Sequence, residues 1–242
     1  MATLLHFRDH PYQCQLEAIV TAVDETGVVT DRTLFYPMGG GQPGDTGIFA
    51  TADGRSLAVT DTRKGEVRDV VHQLAPGHGL QPGDRLTQQL DWSRRWAHMR
   101  MHSALHLLSV AVPRGVTGGS IGADRGRLDF DLGELTLDKG ELSERLNALV
   151  AEDHPITSEW ISEAELDARP ELVKTMSVTP PRGAGEIRMV RIGGIDYQPC
   201  GGTHVASTGE IGVLEVAGIK NRGARNRRII LRFTEPAGGG QP

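Results

Sequence analysis

Through the first ninety positions the chain carries short apolar runs broken by turn residues. Residues 16–23 have strand character, Asp24-Glu25-Thr26-Gly27 supplies turn chemistry, and residues 28–30 resume the extended pattern. Residues 46–50 and 56–60 flank an Asp53-Gly54 turn, a hairpin signal, and Pro82-Gly83-Asp84 introduces a strand over 85–90. Many short strands with close turns predict a small β-barrel.

The pattern changes at Asp91. From Trp92 to about Val112 there is neither Gly nor Pro, and Leu105, Leu108 and Val112 fall at helical spacing. Asp91 or Ser93 serves as N-cap, and Pro113 and Gly115 end the helix. A second helix is predicted over 138–152, with Leu142, Leu146, Leu149 and Val150 on its buried stripe. Strands are predicted at 127–132, 157–161, 187–192, 212–217 and 228–233. The fold class is therefore α+β: a small N-terminal β-barrel over residues 1–91, then an α+β domain with antiparallel sheet and a long helix over 92–235. Residues 236–242, with glycines at 238–240, read as a frayed tail.

Composition changes this picture little. Of 242 residues, 38% are hydrophobic and 24% charged, ordinary for a globular protein and far from a disordered one. With only 5% aromatics, aliphatic packing must dominate the core. No apolar run approaches the roughly 18–20 residues of a membrane span, and the start lacks the features of a secretory signal, so no membrane partner and a cytoplasmic location are expected. Two cysteines make no disulfide framework, and Cys14 reads as a small half-buried residue. The net charge of −5 does not advertise nucleic-acid binding, but phosphate contacts need only a local basic surface.

Candidate chemistry lies in two distant stretches. The long helix carries His98, His102 and His106, four residues apart, and i,i+4 imidazoles share a helix face closely enough to grip one ion. A hundred residues on, Cys200-Gly201-Gly202-Thr203-His204 lets a tight glycine loop turn a thiolate and an imidazole inward. Imidazole and thiolate together are the donors zinc prefers, so one Zn2+ per chain is expected. Spacing alone allows either His98 with His102 or His102 with His106, the odd one being solvated or standing behind the ligands. Four protein ligands would close the coordination sphere, as in a structural site, whereas a catalytic zinc keeps a position open.

A third stretch is Phe35-Tyr36-Pro37-Met38-Gly39-Gly40-Gly41-Gln42-Pro43-Gly44-Asp45-Thr46-Gly47. Its glycines allow close backbone approach to a ligand, and Gln42 offers both donor and acceptor. On its own it would read as a β-turn. Taken with His102-Ser-Ala-Leu-His106 and Cys200-Gly-Gly-Thr-His204-Val, it resembles the editing region of alanyl-tRNA synthetase and the free-standing alanyl-tRNA editing (AlaX) proteins. The resemblance spans nearly the whole chain, including Arg127-Leu128-Asp129-Phe130-Asp131, and favours the free-standing form because no aminoacylation domain precedes it. It departs at Met38, where many relatives are polar or acidic. Threonyl-tRNA synthetase has similar metal motifs without the Gly-Gly-Gln barrel.

The resemblance implies His102, His106, Cys200 and His204 as metal ligands, with His98 outside. It implies hydrolysis of the aminoacyl ester on mischarged tRNA(Ala), most of all seryl- and secondarily glycyl-tRNA(Ala), with zinc activating water or anchoring substrate. Gln42, with Gly40 and Gly41, is the candidate for positioning water or the terminal adenosine. Thr117 and Ser120 are candidate contacts to the serine hydroxyl, against ordinary loop chemistry. Lys220, Arg222, Arg225, Arg227 and Arg228 form the candidate phosphate-binding cluster, with Arg94, Arg95 and Arg100 flanking the metal helix; a solvated charged face is the bland alternative. The competing functions are a threonyl-type editing hydrolase and a non-catalytic tRNA-binding module with structural zinc.

Overall fold

The computed structural model describes residues 2–66, 69–133, 135–174, 185–223 and 225–235; the predicted tail at 236–242 lies outside them. Eight strands form the first part: β1 (Leu4–Leu5), β2 (Gln15–Asp24), β3 (Gly27–Thr30), β4 (Arg32–Thr33), β5 (Gly47–Thr51), β6 (Ser56–Lys64), β7 (Val70–Leu74) and β8 (Arg85–Leu90). Six of them close a barrel in the order β2-β3-β7-β6-β5-β8, every pairing antiparallel. The turn between β2 and β3 forms because Asp24 Oδ1 accepts from the Thr26 and Gly27 amides at 2.7 and 3.2 Å. Gly27 has φ of 144°, where a β-carbon would collide with the His72 carbonyl.

The barrel core is aliphatic with two phenylalanines: Ala18, Val20, Val28, Leu34, Phe35, Phe49, Val59, Leu80, Leu86 and Leu90. Two polar residues cross it fully satisfied. Gln88 donates to Thr30 Oγ1 and the Arg32 carbonyl and accepts from the Leu34 amide. His72 bridges Thr33 Oγ1 at 2.8 Å and the Val28 carbonyl at 2.9 Å, and lies beside Phe35 and Phe49. Burial lowers the His72 pKa to about 4. The unfolded chain then binds a proton that the native barrel refuses, so the contribution is full above pH 6.5 and is lost as pH falls from 6.5 through 4. At about 1.4 kcal/mol per pH unit this amounts to roughly 3 kcal/mol. Urea unfolding of the wild type between pH 6.5 and 4 should show that extra loss relative to His72→Gln; parallel profiles would refute it.

The second part holds α1 (Trp92–Ala111), β9 (Val116–Ile121), β10 (Arg125–Asp131), α2 (Lys139–Ala151), β11 (Ile156–Ser162), α3 (Glu163–Asp167), β12 (Glu186–Ile192), β13 (Asp196–Pro199), β14 (Leu214–Asn221) and β15 (Asn226–Phe233). Asp91 is the N-cap of α1, its carboxylate accepting from the Arg94 amide. Asp138 caps α2 through the amides of Gly140 and Glu141. Of the expected stripe on α2, Leu142, Leu146 and Val150 are buried and Leu149 only half-buried.

Two sheets result, β14-β15-β10-β9 and β11-β12-β13. The edge of β14 is covered by α2: Asn147 both donates to the Leu214 carbonyl and accepts its amide, and Ser143 accepts from Val216. That satisfies backbone groups an open edge would expose. The chain divides into two compact units, one ending at Trp96 and the next beginning at Ala97. Among the described residues no helix is long and apolar enough to cross a membrane.

One departure matters for the site. An amphipathic α1 would leave a wet polar face, yet every residue from Arg95 to Ser109 is buried. Its polar side chains are consequently internal and must find partners.

Candidate metal centre

The helix α1 and the turn after β13 bring four donors together. The ligand atoms of His102, His106, Cys200 and His204 all lie within 4.8 Å of one another. Cys200 Sγ is 3.4 Å from His102 Nε2 and 3.3 Å from His204 Nε2. Donors about 2.0–2.3 Å from a tetrahedral ion would lie roughly 3.3–3.8 Å apart, so the spacing fits a single metal ion. The choice that spacing left open is resolved by position: His98 stays outside the cluster. It is not solvated either, being 2% exposed within the buried stretch Arg95–Ser109 of α1.

Hydrogen bonds orient the rings. His106 Nδ1 contacts Asp196 Oδ2 at 2.9 Å and Gln198 Nε2 at 3.1 Å, and Lys174 Nζ occupies the other Asp196 oxygen. His204 Nδ1 meets Ser103 Oγ at 3.1 Å. In both histidines Nδ1 is thereby occupied and Nε2 is left for an ion. Arg188 donates to the carbonyls of Cys200 and Gly202, both at 3.0 Å, and fixes the Cys-Gly-Gly turn; the Gly202 amide points at Cys200 Sγ.

The electrostatics suit a cation. Burial opposes ionisation of Cys200, but the neighbouring His102 and His204 outweigh it and hold the thiol well below its usual pKa. Burial opposes a charge on His106 too, yet Asp196 and Cys200 raise its pKa to about 9. Burial and the charge of His102 lower His204 to about 3. Burial likewise disfavours the Asp196 carboxylate, but His106 and Lys174 reverse that and bring it to about 2. A thiolate and neutral imidazoles are the forms that bind a divalent cation, so binding one would displace a proton from His106.

Asp196, Gln198, Ser103, Arg188 and Lys174 were missed by sequence reasoning. A signal existed for two of them. Asp196, Gln198 and Cys200 alternate along one strand into its turn, so they share a face.

The other candidates lie as follows. Gly40 and Gly41 have φ of 57° and 84° at the tip of a tight turn closed by reciprocal bonds between Gly39 and Gln42. Both glycines are exposed, whereas Gln42 is fully buried. Tyr36 donates to the Gly39 carbonyl, and Asp45 accepts from the Tyr36 amide and binds Arg95. Thr117 and Ser120, expected in a loop, stand on β9. Thr117 Oγ1 lies 3.2 Å from the Asp129 carbonyl and 3.3 Å from Asn226 Oδ1, and Ser120 is exposed.

The arginine cluster surrounds the β14–β15 turn. Lys220, Arg222 and Arg225 are exposed, Arg225 pairing with Asp131 at 3.0 Å. Arg227 is half-buried and donates to the Gly223 and Asn226 carbonyls. Arg228 forks onto both oxygens of Asp129 at 2.7 and 2.8 Å, with Arg127 on the same carboxylate. The flanking arginines do not form a positive surface. Arg95 is 0% and Arg100 6% exposed, and Arg94 donates to the Gly44 carbonyl. Arg95 and Arg100 lie in the buried stretch of α1 and are turned inward.

Residues 187–230 match the family described as threonyl and alanyl tRNA synthetase second additional domain, and residues 5–94 match tRNA synthetases class II (A). The alanyl-tRNA editing protein AlaX-M of Methanosarcina acetivorans is 36% identical over 97% of this chain and 100% of its own length. AlaX-M of Saccharolobus solfataricus is 30% identical over 95% and 98%. An alanine–tRNA ligase of Methanothermobacter thermautotrophicus is 36% identical over 98% of this chain but 26% of its own.

Proposed function

Because the chain belongs to the family of alanyl-tRNA editing proteins, we propose that it hydrolyses the aminoacyl ester of mischarged tRNA(Ala), seryl-tRNA(Ala) foremost and glycyl-tRNA(Ala) second. The observation that carries this reading is the convergence of His102, His106, Cys200 and His204 within 4.8 Å. Three imidazoles and a thiolate suit zinc better than harder cations, so the metal is zinc. Bound there, zinc would supply Lewis-acid charge for ester hydrolysis. Asp196 and Ser103 hold the rings of His106 and His204 in register, and Arg188 holds the turn that carries Cys200.

A synthetase pocket for alanine rejects serine poorly, by roughly a hundredfold, since an added hydroxyl meets little resistance. A second site that hydrogen-bonds this hydroxyl rejects alanine strongly, because alanine leaves buried polar groups unpaired. Thr117 is the candidate for that role, its hydroxyl donating to the Asp129 carbonyl or to Asn226 Oδ1. Ser120 would be an exposed neighbour on the same strand. Gly40 and Gly41 offer open backbone to the tRNA, with Gln42 buried in the same turn. Lys220, Arg222 and Arg225 would meet phosphates, braced by Arg227 and Arg228. Charged tRNA implies a cytoplasmic place of work.

A second reading has an observation in its favour: four protein donors close a tetrahedral sphere, as structural zinc sites do. The test is deacylation of seryl-, glycyl-, alanyl- and threonyl-charged tRNA by the purified chain. Hydrolysis of seryl-tRNA(Ala) at least about a hundredfold faster than alanyl-tRNA(Ala) is expected. No hydrolysis of any would leave the tRNA-binding module, and preference for the threonyl substrate the threonyl-type enzyme.

A further inference from the structure

The ring of His106 has two nitrogens, and its surroundings offer two ways of using them. Nδ1 lies 2.9 Å from Asp196 Oδ2 and 3.1 Å from Gln198 Nε2. If Nδ1 donates to the carboxylate, Nε2 keeps its lone pair for an ion. If Nδ1 instead accepts from the amide, the ring hydrogen sits on Nε2 and the ligand is lost. Counting hydrogens decides between them. Gln198 Nε2 carries two, and Asp196 Oδ2 at 2.8 Å and Ser109 Oγ at 3.2 Å take both. Ser109 can accept because its own hydrogen goes to the His106 carbonyl at 2.8 Å. His106 Nδ1 is thereby left as a donor to Asp196.

That arrangement holds only while Asp196 keeps its rotation. Its side chain is 0% exposed, so each oxygen needs a partner. Oδ2 takes His106 and Gln198, and Oδ1 has Lys174 Nζ as its one partner among the described residues. Asp196 stands on β13, whereas Lys174 follows the short turn Pro170–Leu172. The Lys174 backbone is pinned: its carbonyl accepts the Val116 amide at the head of β9 at 3.1 Å, and the Val173 amide donates to the Pro170 carbonyl. The ammonium therefore reaches one oxygen from a fixed point. Without it, Oδ1 would be buried and unpaired, and a carboxylate turning toward another partner would release a Gln198 hydrogen to Nδ1.

We propose that Lys174 is a positioning residue of the metal centre, locking Asp196 so that His106 presents a free Nε2 to the other three donors. The proposal rests on the zinc-binding reading above and adds to it a residue outside the four donors. Lys174 acts through Asp196, so it sets how tightly the cluster holds its ion, and its effect disappears when that carboxylate is gone.

Zn2+ binding to the full chain, measured without tRNA by competition with a chromophoric chelator, tests it. Lys174→Met is expected to weaken binding by about 10- to 100-fold, the range for losing a group that orients a ligand. Lys174→Arg, which keeps the charge, recovers most of that loss. Lys174→Gln keeps a neutral donor and gives an intermediate loss, and it takes the place of Lys174→Met should that variant not fold. In an Asp196→Asn background Lys174→Met should cost nothing further, whereas a merely structural lysine would add its own loss. Unchanged affinity in Lys174→Met, additive losses in the double variant, or a wild type that takes up no zinc would overturn the proposal. Zinc binding that depends on Lys174 in a chain that deacylates nothing would instead strike the hydrolase reading alone.

Discussion

Cys200→Ala is expected to lower deacylation of seryl-tRNA(Ala) by roughly a thousandfold while leaving the fold intact. A Lewis acid contributes several kcal/mol to the transition state, and about 1.4 kcal/mol corresponds to each factor of ten. Cys200 is the only thiolate of the four donors and contacts both His102 and His204. The walls of the site do not depend on an ion. Ser103 holds His204, Asp196 and Gln198 hold His106, and Arg188 holds the backbone of the turn. Circular dichroism and thermal unfolding should therefore change little while bound metal and turnover fall together. Collapse of the fold in Cys200→Ala would point to a structural ion, and wild-type turnover would remove the centre from the chemistry.

The second large effect is on stability. Arg95→Leu is expected to cost about 3–5 kcal/mol, the usual penalty for stripping one partner from a buried ion pair. Arg95 and Asp45 are 0% and 1% exposed at the side chain, and the guanidinium also donates to the carbonyls of Pro11 and Leu34. With Arg95 gone, the Asp45 carboxylate stays buried with only the Tyr36 amide at 2.6 Å for that oxygen. Since Asp45 and Tyr36 anchor the glycine turn, the loss should be felt there too. Arg95→Lys should recover only part of it, because an ammonium cannot reproduce the fork. Chemical unfolding measures the loss; less than about 1 kcal/mol would mean that the pair is not what holds the loop.

Much of the architecture was legible because the barrel strands and α2 announce themselves through turn residues and helical spacing. Strand β9 was not. Val116-Thr117-Gly118-Gly119-Ser120-Ile121 has loop composition, and only pairing with β10 makes it extended. Gly119 belongs there because a β-carbon would press on the Leu128 side chain. Strand β13, Asp196–Pro199, is short and ends in proline, so only the alternation of Asp196, Gln198 and Cys200 marks it. The four members of the His/Cys cluster were legible because each pair is local: four residues apart on a helix, four apart across a glycine turn. The residues that orient them were not, because Ser103, Arg188 and Lys174 acquire their roles only through tertiary contact. For the same reason Arg95, Arg100 and Arg228 read as surface cations. Nothing along the chain says that Asp45 and Asp129 lie opposite Arg95 and Arg228, or that α1 is buried from Arg95 to Ser109.

The central claim is that four side chains from two separated segments hold one ion on which ester cleavage depends. The most direct test strips the wild-type chain with a strong chelator, follows seryl-tRNA(Ala) turnover, and titrates zinc back. Turnover should vanish with the metal and return in proportion to zinc, saturating at one equivalent per chain. Full turnover by protein shown to be free of metal would contradict the account.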